Sequence, residues 1–156
     1  MSITPLPSIR AAEPYERLRE ASDAQFAKTG ERPKICLVNL GAAADFGARA
    51  AFAKNFFAAG GIEAVANDGS ATAEAARAAF VASEAKLACL CSSDETYQNL
   101  AGPIVEGLHG AGARAVYVAA RPDSVARHFG DAVTAYVFEG CDALAVLQDA
   151  LEKVTP

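Results

Sequence analysis

Five short apolar runs alternate with longer segments of helical periodicity from residue 34 onward. The runs have almost no interior polar residue, as in "KICLVNL", which indicates strands that are buried on both faces. Strands of this kind, each followed by a helix, are typical of a parallel sheet with right-handed crossovers. The predicted strands are 34–40, 62–67, 86–92, 114–120 and 135–140.

The segments between these strands carry apolar residues at helical spacing. In the first of them, one stripe is formed by Phe46, Ala50, Ala53 and Phe57. The predicted helices are 45–59, 72–82, 94–110, 122–129 and 141–154. The pattern therefore predicts a three-layer α/β/α domain with a five-stranded parallel sheet, of the flavodoxin-like or the related dinucleotide-binding type.

The first 33 residues follow a different pattern. Prolines interrupt their beginning, and Gly30 and Pro33 close them. We interpret 1–33 as a lead, one amphipathic helix that starts at Pro14, and a linker. Residues 34–156 then form the α/β domain.

Composition and charge narrow the class of protein. The 156 residues are 52% hydrophobic and 21% charged, which fits one globular domain. A net charge of −5 disfavours binding to nucleic acid or to an anionic membrane. No run approaches the roughly 20 apolar residues of a membrane span, and the first residues do not follow a secretory-signal pattern. We expect a soluble, cytoplasmic protein.

The four cysteines favour buried thiols over a metal site. Cys36, Cys89 and Cys91 fall inside predicted strands, whereas Cys141 follows the last one. Strand alternation puts Cys89 and Cys91 on one face, but no further ligand stands near them. We therefore predict reduced cysteines that pack as small apolar residues.

Ligands of open parallel sheets bind beyond the carboxyl ends of the strands. After the first strand only Gly41 and Gly47 are available, with no lysine behind them, so neither glycine-rich phosphate loop is present. Asp45 and Asp142 are interpreted as helix-start acids. Arg121, after the fourth strand, could meet a phosphate, although a lone arginine at a helix start is usually a solvated charge.

A nucleophilic serine is not expected either. Ser92 and Ser93 follow the third strand, but a serine nucleophile needs a histidine base within reach. His109 and His128 fall late in their helices and therefore at the opposite edge of the sheet. Both hydroxyls are interpreted as caps of the following helix.

Several segments resemble a known family. They are "RPKICLVNLG", "FAKNFFAAGGIEA", "KLACLCSSDETY" and "FEGCDALAVLQDAL", and they are similar to the C-terminal region of the small subunit of bacterial methylmalonyl-CoA mutase. The resemblance runs from about residue 10 onward, and "AEPYERLRE" resembles the segment that joins this region to a preceding barrel domain. It implies a fold of the cobalamin-binding-domain type, separated from that barrel.

The related cobalamin-binding domains hold their cofactor through a D-x-H-x-x-G motif after the first strand, in which the histidine ligates cobalt. By this resemblance, Ala42 stands at the aspartate position, Ala44 at the histidine position and Gly47 at the glycine position. An alanine methyl cannot coordinate cobalt.

The family's other cofactor positions also differ. Ser92 retains the serine of an S-x-L motif after the third strand, but Asp94 replaces the leucine. An unpaired carboxylate against an apolar pocket would cost several kcal/mol. Ala119 and Ala120 occupy a glycine pair after the fourth strand, so their methyl groups narrow the groove for the nucleotide tail.

The resemblance thus implies a non-catalytic assembly domain with no cofactor, metal or catalytic residue of its own. Its partner would be the large subunit, which binds adenosylcobalamin and interconverts methylmalonyl-CoA and succinyl-CoA, so that the pair forms a heterodimeric isomerase. Two alternatives stay open, a domain that still binds cobalamin and an independent flavodoxin-like domain for a small molecule. Phe52 and Phe56 are the candidate contacts with a partner, unless the sheet buries both.

Overall fold

The computed structural model describes residues 6–154, and the side chains of 13–100 and 102–154. It confirms the predicted five-stranded parallel sheet, with strand order β2-β1-β3-β4-β5. The strands are β1 Lys34–Asn39, β2 Glu63–Ala66, β3 Leu87–Cys91, β4 Ala115–Ala119 and β5 Ala135–Val137. The helices are α1 Leu6–Thr29, α2 Ala43–Ala58, α3 Ala73–Ser83, α4 Asp94–Gly110, α5 Pro122–Phe129 and α6 Ala143–Val154, and a 3-10 turn covers Gly130–Ala132.

Helices cover both faces of the sheet, which explains the absence of polar alternation in the strands. One core lies between the sheet and α3, α4 and α5, with Phe80, Tyr97 and Phe129 at its centre. The other lies between the sheet and α1, α2 and α6, and includes Phe57 and Leu147. The fold is therefore the predicted three-layer α/β/α arrangement.

The cysteines pack as expected from the strand pattern. Cys36, Cys89 and Cys91 are buried in their strands, and all four cysteines are free thiols. Cys89 and Cys91 point into the α2 side of the sheet, whereas Cys36 points into the α3 side. Between residues 6 and 154, no three His, Cys, Asp or Glu side chains are grouped as a metal site would require.

Two predicted boundaries differ from the structure by more than two residues. The first helix begins at Leu6, and Pro14 lies inside it instead of at its start, because an interior proline removes only one hydrogen bond of a long helix. Strand β5 ends at Val137, since a turn in which the Cys141 amide bonds the Phe138 carbonyl follows it. The predicted lead falls partly on residues 1–5, outside the described residues, and the division at residue 33 stays a prediction.

No helix in the described part of the chain has the length and apolar character needed to cross a bilayer.

Candidate functional site

The carboxyl ends of β1 and β2 are held together by their own polar groups. The Asn67 carboxamide oxygen accepts the Asn39 amide N–H at 2.9 Å, and the Asn67 carbonyl accepts the Asn39 side-chain NH₂ at 2.9 Å. Asn67 also donates to Ser70 Oγ at 2.9 Å, and Leu40 pairs with Ser70 in an isolated bridge. Most of these polar groups are thus bonded to one another, whereas the Asn39 side-chain oxygen is buried without a hydrogen-bond partner among the described residues.

The loop after β1 is short and closed on itself. Gly41 has a φ of +80°, and a Cβ atom there would lie 2.8 Å from Asp45 Oδ2. That carboxylate accepts the Ala42 amide N–H at 3.1 Å, which confirms Asp45 as a helix-start acid. Asp142 does the same for α6, where it accepts the Ala145 amide N–H.

Ala42 and Ala44 lie at the start of α2 with their methyl groups exposed to solvent. Gly47, one turn later, is also exposed, and a Cβ atom there would meet no atom within 4 Å. The start of α2 therefore faces solvent at these three positions, which offer no nitrogen or oxygen donor from a side chain.

Ser92 and Ser93 have different roles, although both were predicted to cap α4. Ser93 is the cap, and its Oγ accepts the Thr96 amide N–H. Ser92 is fully buried and donates its hydroxyl to the Leu40 carbonyl at 2.7 Å. Its prediction as a cap is wrong because the residue still follows the direction of β3 and points its side chain toward the end of β1.

Tyr97 joins the ends of β3 and β4. The sequence places it on an apolar stripe of α4 with Ile104 and Leu108, at helical spacing, and predicts it only as a residue of the core. Its hydroxyl contacts the carbonyls of Leu90 and Ala119 at 3.0 and 3.1 Å and accepts the Ser92 amide N–H at 2.9 Å. Burial raises the pKa of Tyr97 well above its usual value, so the hydroxyl remains a donor. A tyrosine on an otherwise apolar helix stripe was the only sequence signal of this role.

Arg49 of α2 reaches across the edge of the sheet to the beginning of α4. Its Nη1 donates to the Ser92 carbonyl at 2.7 Å, and its guanidinium lies 5.6 Å from the centre of the Tyr97 ring. The same nitrogen lies 2.7 Å from Asp94 Oδ1, as an ion pair rather than an aligned hydrogen bond. Asp94 is therefore neutralised locally and is not an isolated carboxylate against an apolar surface.

A groove of about 350 Å³ lies beside this ion pair, between α2 and the ends of β4 and β5. Buried Ala119 and Ala120 line it, and Phe52 of α2 is half-buried at its side. Arg121 is exposed, and its guanidinium lies 5.2 Å from the centre of the Phe138 ring. The groove thus combines an apolar base with a charged rim, on which Arg49 and Arg121 lie near Asp94 and Glu139.

The two histidines lie at the opposite edge of the sheet, as their positions in the helices predicted. His109 lies in the last turn of α4, and its Nε2 is 2.8 Å from the Ala132 carbonyl, just before β5 begins. His128 lies in the last turn of α5. Within residues 6–154, no imidazole is therefore available at the carboxyl edge.

Comparison with known proteins agrees with the resemblance in the sequence. The chain is 47% identical over 149 residues to the methylmalonyl-CoA mutase small subunit of Streptomyces virginiae, an alignment that covers 96% of the chain and 23% of that protein. The chain belongs to the methylmalonyl-CoA mutase small-subunit family and matches its C-terminal region. No protein-family model matches the chain.

Two further small subunits are similar over shorter or more diverged alignments. The probable methylmalonyl-CoA mutase small subunit of Mycobacterium tuberculosis (strain ATCC 25618 / H37Rv) is 35% identical to the chain over 113 residues, an alignment that covers 72% of the chain and 18% of that protein. That of Propionibacterium freudenreichii subsp. shermanii is 31% identical over 150 residues, or 92% of the chain and 22% of that protein. The chain spans less than a quarter of the length of these relatives.

Phe52 and Phe56, the candidate contacts of this small-subunit homologue, are both half-buried on α2. Their ring centres lie 5.9 Å apart, and Phe56 packs edge-on against buried Phe57 at 5.2 Å. Both rings adjoin the core on the α2 side of the sheet while part of their surface faces solvent. The structure thus leaves each ring partly available for a second surface.

Proposed function

We propose that this chain is a non-catalytic assembly domain that holds no corrinoid and contacts the methylmalonyl-CoA mutase large subunit. The names of its relatives support such a partner, since each is a small subunit. In this proposal the large subunit binds adenosylcobalamin and interconverts methylmalonyl-CoA and succinyl-CoA. The present chain contributes a protein surface and no reacting group.

The observation that carries the proposal is the exposed methyl group of Ala44, at the position that the family resemblance matches to the cobalt-ligating histidine. Cobalt ligation needs a nitrogen donor that a neighbouring acceptor holds in orientation. Ala42 cannot provide that acceptor, and both described histidines lie at the other edge of the sheet. The described residues at this edge therefore do not fit a histidine-ligated corrinoid.

Two of the remaining polar groups support the same conclusion, because they already have partners inside the chain. The buried Ser92 hydroxyl is bonded to the Leu40 carbonyl, and the partly exposed Asp94 pairs with Arg49. A nucleotide tail that used them would have to break these contacts. Asn39 Oδ1, in contrast, is buried without a hydrogen-bond partner among the described residues. Ala119 and Ala120 add methyl groups to the wall of the groove.

Phe52 and Phe56 are our proposed contacts with the large subunit. Aromatic side chains that are half-exposed and held by neighbouring rings lose little entropy on binding and are enriched in interfaces. Both residues lie on the helix that carries the Ala44 position, so the partner surface would lie next to the lost cofactor loop.

Sedimentation velocity with a methylmalonyl-CoA mutase large subunit from the same source organism tests the assembly role. We expect a complex of the two chains that forms whether or not the large subunit is loaded with adenosylcobalamin. Two separate sedimenting species at micromolar concentrations of both chains would show that the assembly role is wrong.

A further inference from the structure

The two arginines that line the groove beside α2 differ in whether a carboxylate pairs with them. Arg49 is held by Asp94 and by the Ser92 carbonyl, so its charge is compensated. Arg121 instead lies over the Phe138 ring, and its guanidinium donates a long hydrogen bond of 3.5 Å to the Glu139 carbonyl. Among the described residues, no carboxylate lies within ion-pair distance of Arg121. Its guanidinium therefore has N–H donors that are free to bind another group at the rim of the groove.

The walls of the groove are too open for a small molecule to be enclosed. Ala119, Ala120 and Val137 are buried, but the rim residues Ala48, Arg121 and Glu139 are exposed. Small-molecule sites generally cover about 70–90% of their ligand's surface. A polypeptide segment, by contrast, brings its own surface to complete the cover of such a groove.

We infer that this groove receives an acidic segment of the large subunit, with a carboxylate on Arg121 and an apolar side chain over Ala119 and Ala120. The inference rests on the assembly role proposed above and adds the chemistry of the contact. An arginine positioned by an aromatic ring presents two parallel N–H donors to a carboxylate, and such arginines are frequent interface anchors. Phe52 lines the same groove, so the contact is continuous with the proposed Phe52 and Phe56 surface.

Glu139 is the acidic group that opposes this assignment, because it stands on the same rim. Its backbone carbonyl contacts Arg121, but its carboxylate does not pair with that guanidinium. The incoming carboxylate would thus feel attraction from Arg121 and repulsion from Glu139. Removing the Glu139 charge should leave the association unchanged or strengthen it, whereas reversing the Arg121 charge should weaken it.

The test compares dissociation constants for the full chain and the large subunit, measured by titration calorimetry at low and at physiological salt. Arg121→Glu should raise the dissociation constant at least about tenfold, because a like charge would then face the acidic segment. Arg127→Glu is the matched control, since it makes the same charge change at the far end of α5 and should have little effect. Circular dichroism and the thermal midpoint of each variant show that the fold is retained.

The outcomes separate this inference from the assembly role. If wild-type chain binds the large subunit and Arg121→Glu binds as tightly as Arg127→Glu, the groove assignment is wrong while the assembly role stands. If wild-type chain does not bind at all, the assembly role itself fails and this inference fails with it. Saturable binding of acetate or inorganic phosphate that Arg121→Glu abolishes, with unchanged association to the large subunit, would identify a small-anion site and overturn the inference.

Discussion

Buried polar atoms at the carboxyl edge of the sheet mostly bond to one another, which is the main result at the scale of residues. Ser92 shows how far sequence reasoning could go there. Its position after β3 was predicted from the sequence, but its partner, the Leu40 carbonyl, lies 52 residues away in the chain. A contact of that separation depends on the register of β1 and β3, which the local pattern does not specify.

Substitution of two tyrosines by phenylalanine tests the importance of this edge. Tyr97→Phe removes the acceptor of the Ser92 amide N–H and the single O–H that the Leu90 and Ala119 carbonyls share, and it should lower the free energy of unfolding by about 1–3 kcal/mol. Tyr136→Phe is the control, because its hydroxyl is buried without a hydrogen-bond partner among the described residues. We expect no loss, or a small gain, for that variant. Urea unfolding compares them, and equal losses would contradict the role of Tyr97.

The buried thiol of Cys89 predicts a loss of stability at alkaline pH. Burial raises the pKa of Cys89 well above its usual value in the folded chain, whereas the thiol of the unfolded chain has a pKa of about 8.5. Below that pH the thiol is protonated in both states and the free energy of unfolding does not change. Above it the unfolded thiol loses its proton while the folded one keeps it, so the free energy of unfolding falls by up to about 1.4 kcal/mol per pH unit.

Cys89→Ala should therefore reduce the pH dependence of urea unfolding between about pH 8.5 and 10. Val118→Ala is the control, a truncation in the same sheet that removes no titratable group. It should lower the free energy of unfolding by the same amount at every pH and leave the pH dependence unchanged. An unchanged slope for Cys89→Ala would show that this thiol does not titrate with unfolding.

At the scale of elements, the Gly60–Gly61 turn that follows α2 packs closely against two other helices, α1 and α6. A Cβ atom at Gly60 would lie 3.0 Å from Leu147 of α6, and one at Gly61 would lie 2.6 Å from the Cβ of Ser22 of α1. The Ser22 hydroxyl also donates to the Gly61 carbonyl at 2.6 Å. The "AAGGIEA" segment thus makes room for two helices, which explains its place among the segments that carry the family resemblance.

Substitution at Gly61 tests the packing of α1. Gly61→Ala should destabilise the chain by roughly 2–4 kcal/mol, because a positive φ of 79° adds to the clash with Ser22. Gly112→Ala separates the two effects, since its φ is +98° but a Cβ atom there would meet nothing within 4 Å. That variant should lose only about 1 kcal/mol. If thermal unfolding shows equal losses of stability for Gly61→Ala and Gly112→Ala, α1 must shift at Ser22 with little cost, and the close packing of α1 at this turn would be wrong.

At the scale of the whole molecule, periodicity predicted the sheet and its helices, because burial on both faces leaves a direct trace in the sequence. The Arg49–Asp94 ion pair was not predicted, since its two residues belong to helices that meet only after the sheet has formed. The family resemblance predicted the groove only as the place of a nucleotide tail, narrowed by Ala119 and Ala120, and its charged rim was not predicted. The rule that ligands bind beyond the carboxyl ends of parallel strands indicated this edge, and the resemblance added positions such as Ala44 and Ser92.

The double variant Phe52→Ser/Phe56→Ser tests whether these rings form a partner surface. We expect association with the large subunit to weaken at least about tenfold while circular dichroism stays unchanged. Val81→Ser, which alters an exposed apolar residue of α3, is the control and should not affect binding. Unfolding of the double variant would instead assign both rings to the core.

Gel filtration of the full chain with excess hydroxocobalamin tests the central claim most directly. We predict that all corrinoid elutes as free small molecule with an unchanged visible spectrum, because no histidine among the described residues lies at this edge to replace its axial ligand. Corrinoid that elutes with the chain near one equivalent, with a shifted spectrum, would contradict the account.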